Sequence, residues 1–305
     1  MSAGSQSLPP PGPHGGDGAA LAAALGVGPG EVLDLSASLN PVAPDVAAVV
    51  SGHLDSLGRY PDASGATTAL AAAAGVEADR LLLTNGGAEA ISLVAAELGG
   101  SVEEPEFALH PRSGGPRWRS NPHNPTGRLA GPGETAAVWD EAFYPLATGT
   151  WTRRDPGAVV VGSLTKVFAC PGLRMGYVVA DPGLIRRVAA RQPHWALGGL
   201  ECAVIPELLT SADLPAWRDR IARLREALTG LLAAHHLDPQ PSDANWVLCS
   251  CAPGLRDRLA PQGVVVRDCA SFGLPGVARV AVPDAAGLER LATALEATRP
   301  SGARW

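Results

Sequence analysis

The sequence predicts an α/β fold: a large domain with a mostly parallel, helix-covered sheet, and a small α+β domain. Three observations carry this. Short apolar runs alternate with helical segments, as in 81–84 followed by 88–98. The runs at 158–162 (AVVVG) and 176–180 (GYVVA) are apolar throughout, as strands buried on both faces are. After a mostly helical stretch at 183–237, strand-like runs at 245–250, 263–266 and 277–282 surround a helix at 253–260.

The elements follow in order. Residues 1–18 are rich in Pro, Gly and Ser and are expected to form an arm or to be disordered at the start. Residues 19–26 read as a short helix ended by Gly26, and 31–36 as a strand leading to a turn at Asn40-Pro41. Helical spacing occupies 44–57, and an alanine-rich helix at 66–74 ends at Gly75. Residues 105–135 fit this rhythm poorly, being rich in Pro, Gly and Arg with little apolar periodicity. An Arg-rich amphipathic segment covers 213–236.

Composition excludes several classes. With 305 residues, 46% hydrophobic and 18% charged, the chain can bury a sizeable core. No uncharged apolar run reaches the length of a membrane helix, so no membrane partner is expected. The opening MSAGSQSLPPPGPHGGDG lacks the pattern of a secretory signal. A net charge of −6 argues against nucleic acid as a partner. Five cysteines without repeated CxxC spacing suit a reduced, cytoplasmic compartment and argue against a structural zinc site, so no metal is expected.

Of the 24 basic residues, one is a lysine, Lys166. A composition that favours arginine removes lysine wherever arginine serves equally well. It cannot do so where a neutral amine nucleophile is needed, because guanidinium stays protonated.

The lysine stands in Ser163-Leu164-Thr165-Lys166, directly after the 158–162 run, with Arg174 eight residues on. An amine at a strand end, with hydroxyls and an arginine nearby, suits an aldehyde cofactor with a phosphate tail. Ser163, Thr165 and Arg174 can take the phosphate. Asp140, in Asp140-Glu141-Ala142-Phe143, can pair with a protonated pyridine nitrogen. In Asn121-Pro122-His123-Asn124-Pro125-Thr126-Gly127, the Asn-Pro steps force extended or turn geometry that presents the Asn124 amide to a phenolate oxygen. Gly86, Gly87 and Ala88 at a strand-to-helix junction offer free N–H groups to an anion. Taken singly, each string also suits an ordinary turn. Their joint order is far more specific.

That order resembles the fold-type I pyridoxal-phosphate enzymes, the aspartate aminotransferase superfamily, from about residue 12 to residue 298. The resemblance implies pyridoxal 5'-phosphate as cofactor, Lys166 as its covalent anchor, and a large domain at 36–195. It assigns 1–35 and 196–305 to an arm and small domain. Arg59-Tyr60-Pro61-Asp62 looks like the tyrosine-proline motif of the histidinol-phosphate aminotransferase group, which implies a homodimer with Tyr60 reaching the neighbouring subunit's cofactor. His14-Gly15-Gly16-Asp17 and the segment ending at Asn40-Pro41 look like the opening of the threonine-phosphate decarboxylases of cobalamin synthesis. Phe143 also matches those decarboxylases, where the aminotransferases usually carry tyrosine. By the same resemblance Arg279 binds a substrate carboxylate, Arg267 and His14 are candidates for a substrate phosphate, and Asn40 lines the substrate site. The substrate implied is a phosphorylated amino acid. The leading expectation is a threonine-phosphate decarboxylase-like lyase of cobalamin biosynthesis, with a histidinol-phosphate-type aminotransferase and a degenerate non-catalytic scaffold as alternatives.

The chain departs from the family in two ways. His110 ends the segment Pro105-Glu106-Phe107-Ala108-Leu109-His110, where a tyrosine that stacks on the cofactor ring is expected, so His110 is assigned that place. The chain is also short across 111–138, so the sheet is expected to be narrower or paired differently.

Overall fold

The structure is a computed structural model in which residues 8–298 are described. Residues 1–7 of the expected arm lie outside them. The chain begins with α1 (Gly18–Leu25), β1 (Leu33–Leu35), α2 (Val46–Ser51), α3 (Ser64–Ala74), β2 (Leu81–Asn85) and α4 (Gly86–Leu98). It continues with β3 (Trp118–Ser120), β4 (Val138–Asp140), α5 (Tyr144–Thr148), β5 (Val159–Ser163), α6 (Leu164–Val167) and β6 (Met175–Val179). Then come α7 (Pro182–Ala189), α8 (Gly199–Thr210), α9 (Leu214–Ala234), β7 (Trp246–Cys249), α10 (Leu255–Leu259), β8 (Val264–Asp268), β9 (Ala278–Ala281) and α11 (Ala285–Ala297). The helical spacing at 44–57 resolves into α2 and a separate 3₁₀ turn, Leu54–Gly58. Gly52, a poor helix former, stands at the break. Among the described residues, no helix is long and apolar enough to cross a membrane.

Contacts divide the chain into two compact units, 42–221 and 1–41 with 222–305. Helix α8 packs on α2 and α3, which carries the first of these past residue 195.

The 42–221 unit is built on a five-stranded sheet of order β2-β6-β5-β4-β3. Four strands run one way, and β6 is antiparallel to both β2 and β5. The reversal has a simple cause. Only residues 164–174 separate β5 from β6, fewer than the dozen or so that a parallel crossover needs. Strands β5 and β6 are buried along their whole length. Helix α4 lies across β2, β6 and β5, burying Ala90, Ile91 and Val94 from one face against Val161 and Val178.

On one side the sheet ends at β3. Past that edge the chain makes only isolated bridges, Gly100 with Gly114 and Ser101 with Arg117. Two groups serve the amides of β3. The Ser101 carbonyl accepts from Trp118 N–H at 2.8 Å. The buried Glu106 carboxylate accepts from Ser120 N–H at 2.9 Å and from its hydroxyl at 2.7 Å. A side chain thus does for β3 what a sixth strand would do.

No helix separates β3 from β4. Instead Arg153 donates to the carbonyls of Ala130, Gly131 and Glu134, holding that loop. Its guanidinium lies 5.1 Å from the ring centroid of the buried Trp139, and that of Arg119 lies 5.8 Å away.

The other unit has a four-stranded sheet of order β1-β8-β9-β7, with β1 parallel to β8 and the remaining pairs antiparallel. Leu228 and Leu232 of α9, and Leu291 and Leu295 of α11, are each four residues apart and bury on this core. Asp284 caps α11 by accepting from Gly287 N–H at 2.8 Å.

Glu141, immediately after β4, is fully buried, and burial pushes its carboxyl up to about 7. The Thr152 hydroxyl and the Arg153 N–H oppose that shift. The folded state therefore binds this proton more tightly than the unfolded chain. The resulting stability is complete below the unfolded value near 4.5 and is lost as pH rises towards 7. Glu141→Gln removes this loss, so its melting temperature relative to the parent should be higher at pH 8 than at pH 5. Equal differences at both pH values would refute the assignment.

Candidate active site

The parallel run of β2, β3, β4 and β5 places their C-terminal ends on one edge of the sheet, the usual side for ligands in such sheets. The reversed β6 begins there, with Met175 opposite Asn85 and Gly176 opposite Ser163. This edge gathers most of the residues singled out from sequence: Gly86, Gly87, Ala88, Asn124, Asp140, Ser163, Lys166 and Arg174.

Gly86 opens α4 with φ 75°, a conformation that favours glycine. A Cβ on Gly86 would lie 2.5 Å from Nη2 of Arg174, and one on Gly87 would lie 3.9 Å from Oγ of Ser163. A Cβ on Gly176 would collide with the Gly86 backbone. The helix start, the guanidinium and the serine thus surround a small cradle that a side chain on Gly86 would fill. N–H groups at a helix start beside a guanidinium suit a phosphate.

Lys166 is half-buried on α6, immediately beyond β5, with Nζ 6.0 Å from the ring centroid of Phe143. Asp140 ends the neighbouring β4 and is largely buried. Its Oδ1 accepts from Ala142 N–H at 3.0 Å, and its Oδ2 lies 2.9 Å from Nε2 of His110. Asn124 is buried in the turn after β3. That turn is fixed by His123, whose ring nitrogens reach the Thr126 hydroxyl and the Pro105 carbonyl, and by Gly127 at φ 76°.

Two sequence assignments are corrected. The His110 ring is 0% exposed and packs against Phe107 and Trp118. A ring with no exposed face cannot stack on a cofactor. His110 instead holds the Asp140 carboxylate, while its Nδ1 lies 3.8 Å from Glu106. Thr165 is 2% exposed, and its hydroxyl bonds the backbone of Leu173 and Met175, so it is not placed to take a phosphate. Tyr60 stands apart from the edge cluster. It is 79% exposed, with its ring 4.7 Å from that of Trp195.

The substrate candidates lie in the other unit. Arg267 and Arg279 are cross-strand partners on β8 and β9, and both are buried. Arg267 donates to the Pro13 carbonyl and to the Ser271 hydroxyl. The Phe272 ring lies 4.8 Å from the Arg267 guanidinium and 5.9 Å from that of Arg279, which is also 5.0 Å from Trp246. Burial, followed by the Arg267 charge, pushes Arg279 down to about 9. His14 is exposed beside Pro13, and a Cβ on Gly15 would lie 3.2 Å from Nη1 of Arg267. Asn40 is buried, and the two carbonyls before it, of Ser38 and Leu39, accept from the Asn245 amide.

Sequence reasoning missed Glu106, Phe272 and Asn245 as supports of these groups. Asn245 alone left a trace, in the Ala244-Asn245-Trp246 string opening a strand.

A sheet edge that presents a lysine, a buried carboxylate and a glycine cradle defines a class, the pyridoxal-phosphate enzymes of fold type I. The sequence profile of the Aminotransferase class I and II family matches residues 118–295, and the chain belongs to that family. It is 30% identical to threonine-phosphate decarboxylase of Salmonella typhimurium, over 92% of this chain and 95% of the relative. Histidinol-phosphate aminotransferase 1 of Nitrosococcus oceani is 27% identical over 81% of this chain and 84% of the relative. The fold matches that of histidinol-phosphate aminotransferase from Sinorhizobium meliloti in complex with pyridoxal-5'-phosphate. The TM-score is 0.79 at 18% identity, over 92% of this chain and 94% of that one. The protein is a pyridoxal-phosphate-dependent enzyme.

Reduction with borohydride in the presence of pyridoxal phosphate should fix the cofactor to Lys166, the single lysine, as peptide mass spectrometry would show. Lys166→Arg should abolish this incorporation while leaving the circular dichroism unchanged. Persistent labelling of the variant, other than at the terminal amine, would rule out Lys166 as the anchor.

Proposed function

We propose that the enzyme acts on a phosphorylated amino acid, with decarboxylation of threonine phosphate as the leading reading. The observation that carries this is the cross-strand pair Arg267 and Arg279. Like charges directly opposite each other on a sheet are destabilising, more so when buried. Two anionic groups on a substrate offset that repulsion. A carboxylate at Arg279 and a phosphate at Arg267, assisted by the nearby His14, meet the requirement. Asn40, held by Asn245, borders the same substrate.

Pyridoxal phosphate, when bound, supplies a sink for the electron pair left as a bond to the substrate's Cα breaks. Lys166 would hold it through its amine. The N-terminus of α4, Ser163 and Arg174 would take its phosphate. Asn124 would donate to its phenolate oxygen. Asp140 would face its ring nitrogen, with His110 and the Ala142 N–H keeping the carboxylate in place.

Phe143 favours the lyase reading, since it offers no hydroxyl where the aminotransferases carry tyrosine. Transamination would require Lys166 to move a proton at Cα. The holoenzyme should therefore release CO2 from threonine phosphate without any 2-oxoacid acceptor. Product that forms only with an acceptor would replace this reading with that of an aminotransferase.

We also propose a homodimer in which Tyr60 serves the partner's cofactor site. The support is a large side chain left exposed next to exposed Trp195, with Leu54 and Leu57 exposed in the preceding turn. Sedimentation should give twice the chain mass, and Tyr60→Phe should weaken cofactor binding without changing that mass. A monomer that binds cofactor normally would rule this out.

A further inference from the structure

We propose that Thr165 is a positioning residue for Arg174, acting on the cofactor's phosphate without touching it. The inference rests on the reading of Arg174 as a phosphate ligand. Arg174 is solvent-exposed and lies in the irregular stretch just before β6. It donates to the Pro171 carbonyl over a long 3.4 Å. A long exposed side chain loses much rotamer freedom when fixed on a ligand, so a well-placed backbone matters more there. Thr165 provides that placement. Its hydroxyl donates to the Leu173 carbonyl at 3.0 Å and accepts from Met175 N–H at 3.3 Å. These are the two residues flanking Arg174.

A hydroxyl has one proton to donate, and this one is engaged with backbone. At 2% exposure it also has almost no surface for a ligand. Thr165 immediately precedes Lys166 on α6. One buried hydroxyl therefore ties the segment that carries the amine to the segment that carries the guanidinium. The two anchors of a single cofactor, one at its aldehyde end and one at its phosphate end, are held at a set separation.

The test compares pyridoxal phosphate with pyridoxal, which lacks the phosphate, in equilibrium titrations of the full chain stripped of cofactor. Thr165→Val keeps the shape and removes the hydrogen bonds. It should weaken pyridoxal phosphate binding by about tenfold, the order expected for a lost hydrogen-bonding group. Pyridoxal binding should be unchanged, and Thr165→Ser should restore the parent value. In an Arg174→Gln background the further loss from Thr165→Val should vanish.

Equal weakening of both ligands would reduce Thr165 to a structural residue and overturn the proposal. A full additional loss in the Arg174→Gln background would mean a direct phosphate contact and would also overturn it. If Arg174→Gln alone left pyridoxal phosphate affinity unchanged, the cradle reading itself would fall.

Discussion

The site depends on one close approach, where the backbone of Gly86 meets that of Gly176. No side chain fits between them. Because they touch, β6 can lie against β2 in the reversed direction, and the residue just before β6 comes to the start of α4. That residue is Arg174. Without a Cβ on Gly86, the helix start lies open beside the Arg174 guanidinium. A Cβ on Gly176 would collide with the Gly86 backbone, and one on Gly86 would displace the Arg174 guanidinium from the cradle.

Much of this was legible in the sequence. The all-apolar runs marked β5 and β6, and the glycine pair marked the turn into α4. The solitary lysine followed its strand at the place where the fold sets reactive groups. These features are local, so a linear pattern records them. What did not show was long-range. Thr165 reads as one hydroxyl among two beside a lysine. Only the return of the chain at 173–175 decides that it faces backbone. His110 reads as an aromatic substitute, but it turns inward because Asp140 offers a buried carboxylate at 2.9 Å. The reversal of β6 was likewise invisible in strand composition, and the connection length accounts for it.

The shortened region shows how a chain can do without whole elements. Removing strands and helices leaves unpaired amides and an uncovered indole. Here single side chains serve those groups. Arg153 spends its donors on three carbonyls of one loop and its flat face on Trp139. Arginine can do both at once because its fork of donors and its planar face are separate surfaces.

The carboxylate of Glu106 on β3 has a consequence for behaviour in concentrated solution. A sheet edge with free amides invites another strand, from a partial unfolding event or from a neighbouring molecule. A side chain already bonded to the Ser120 amide occupies the position where an incoming strand would have to pair. The β3 edge is therefore closed to a further strand from a neighbouring molecule.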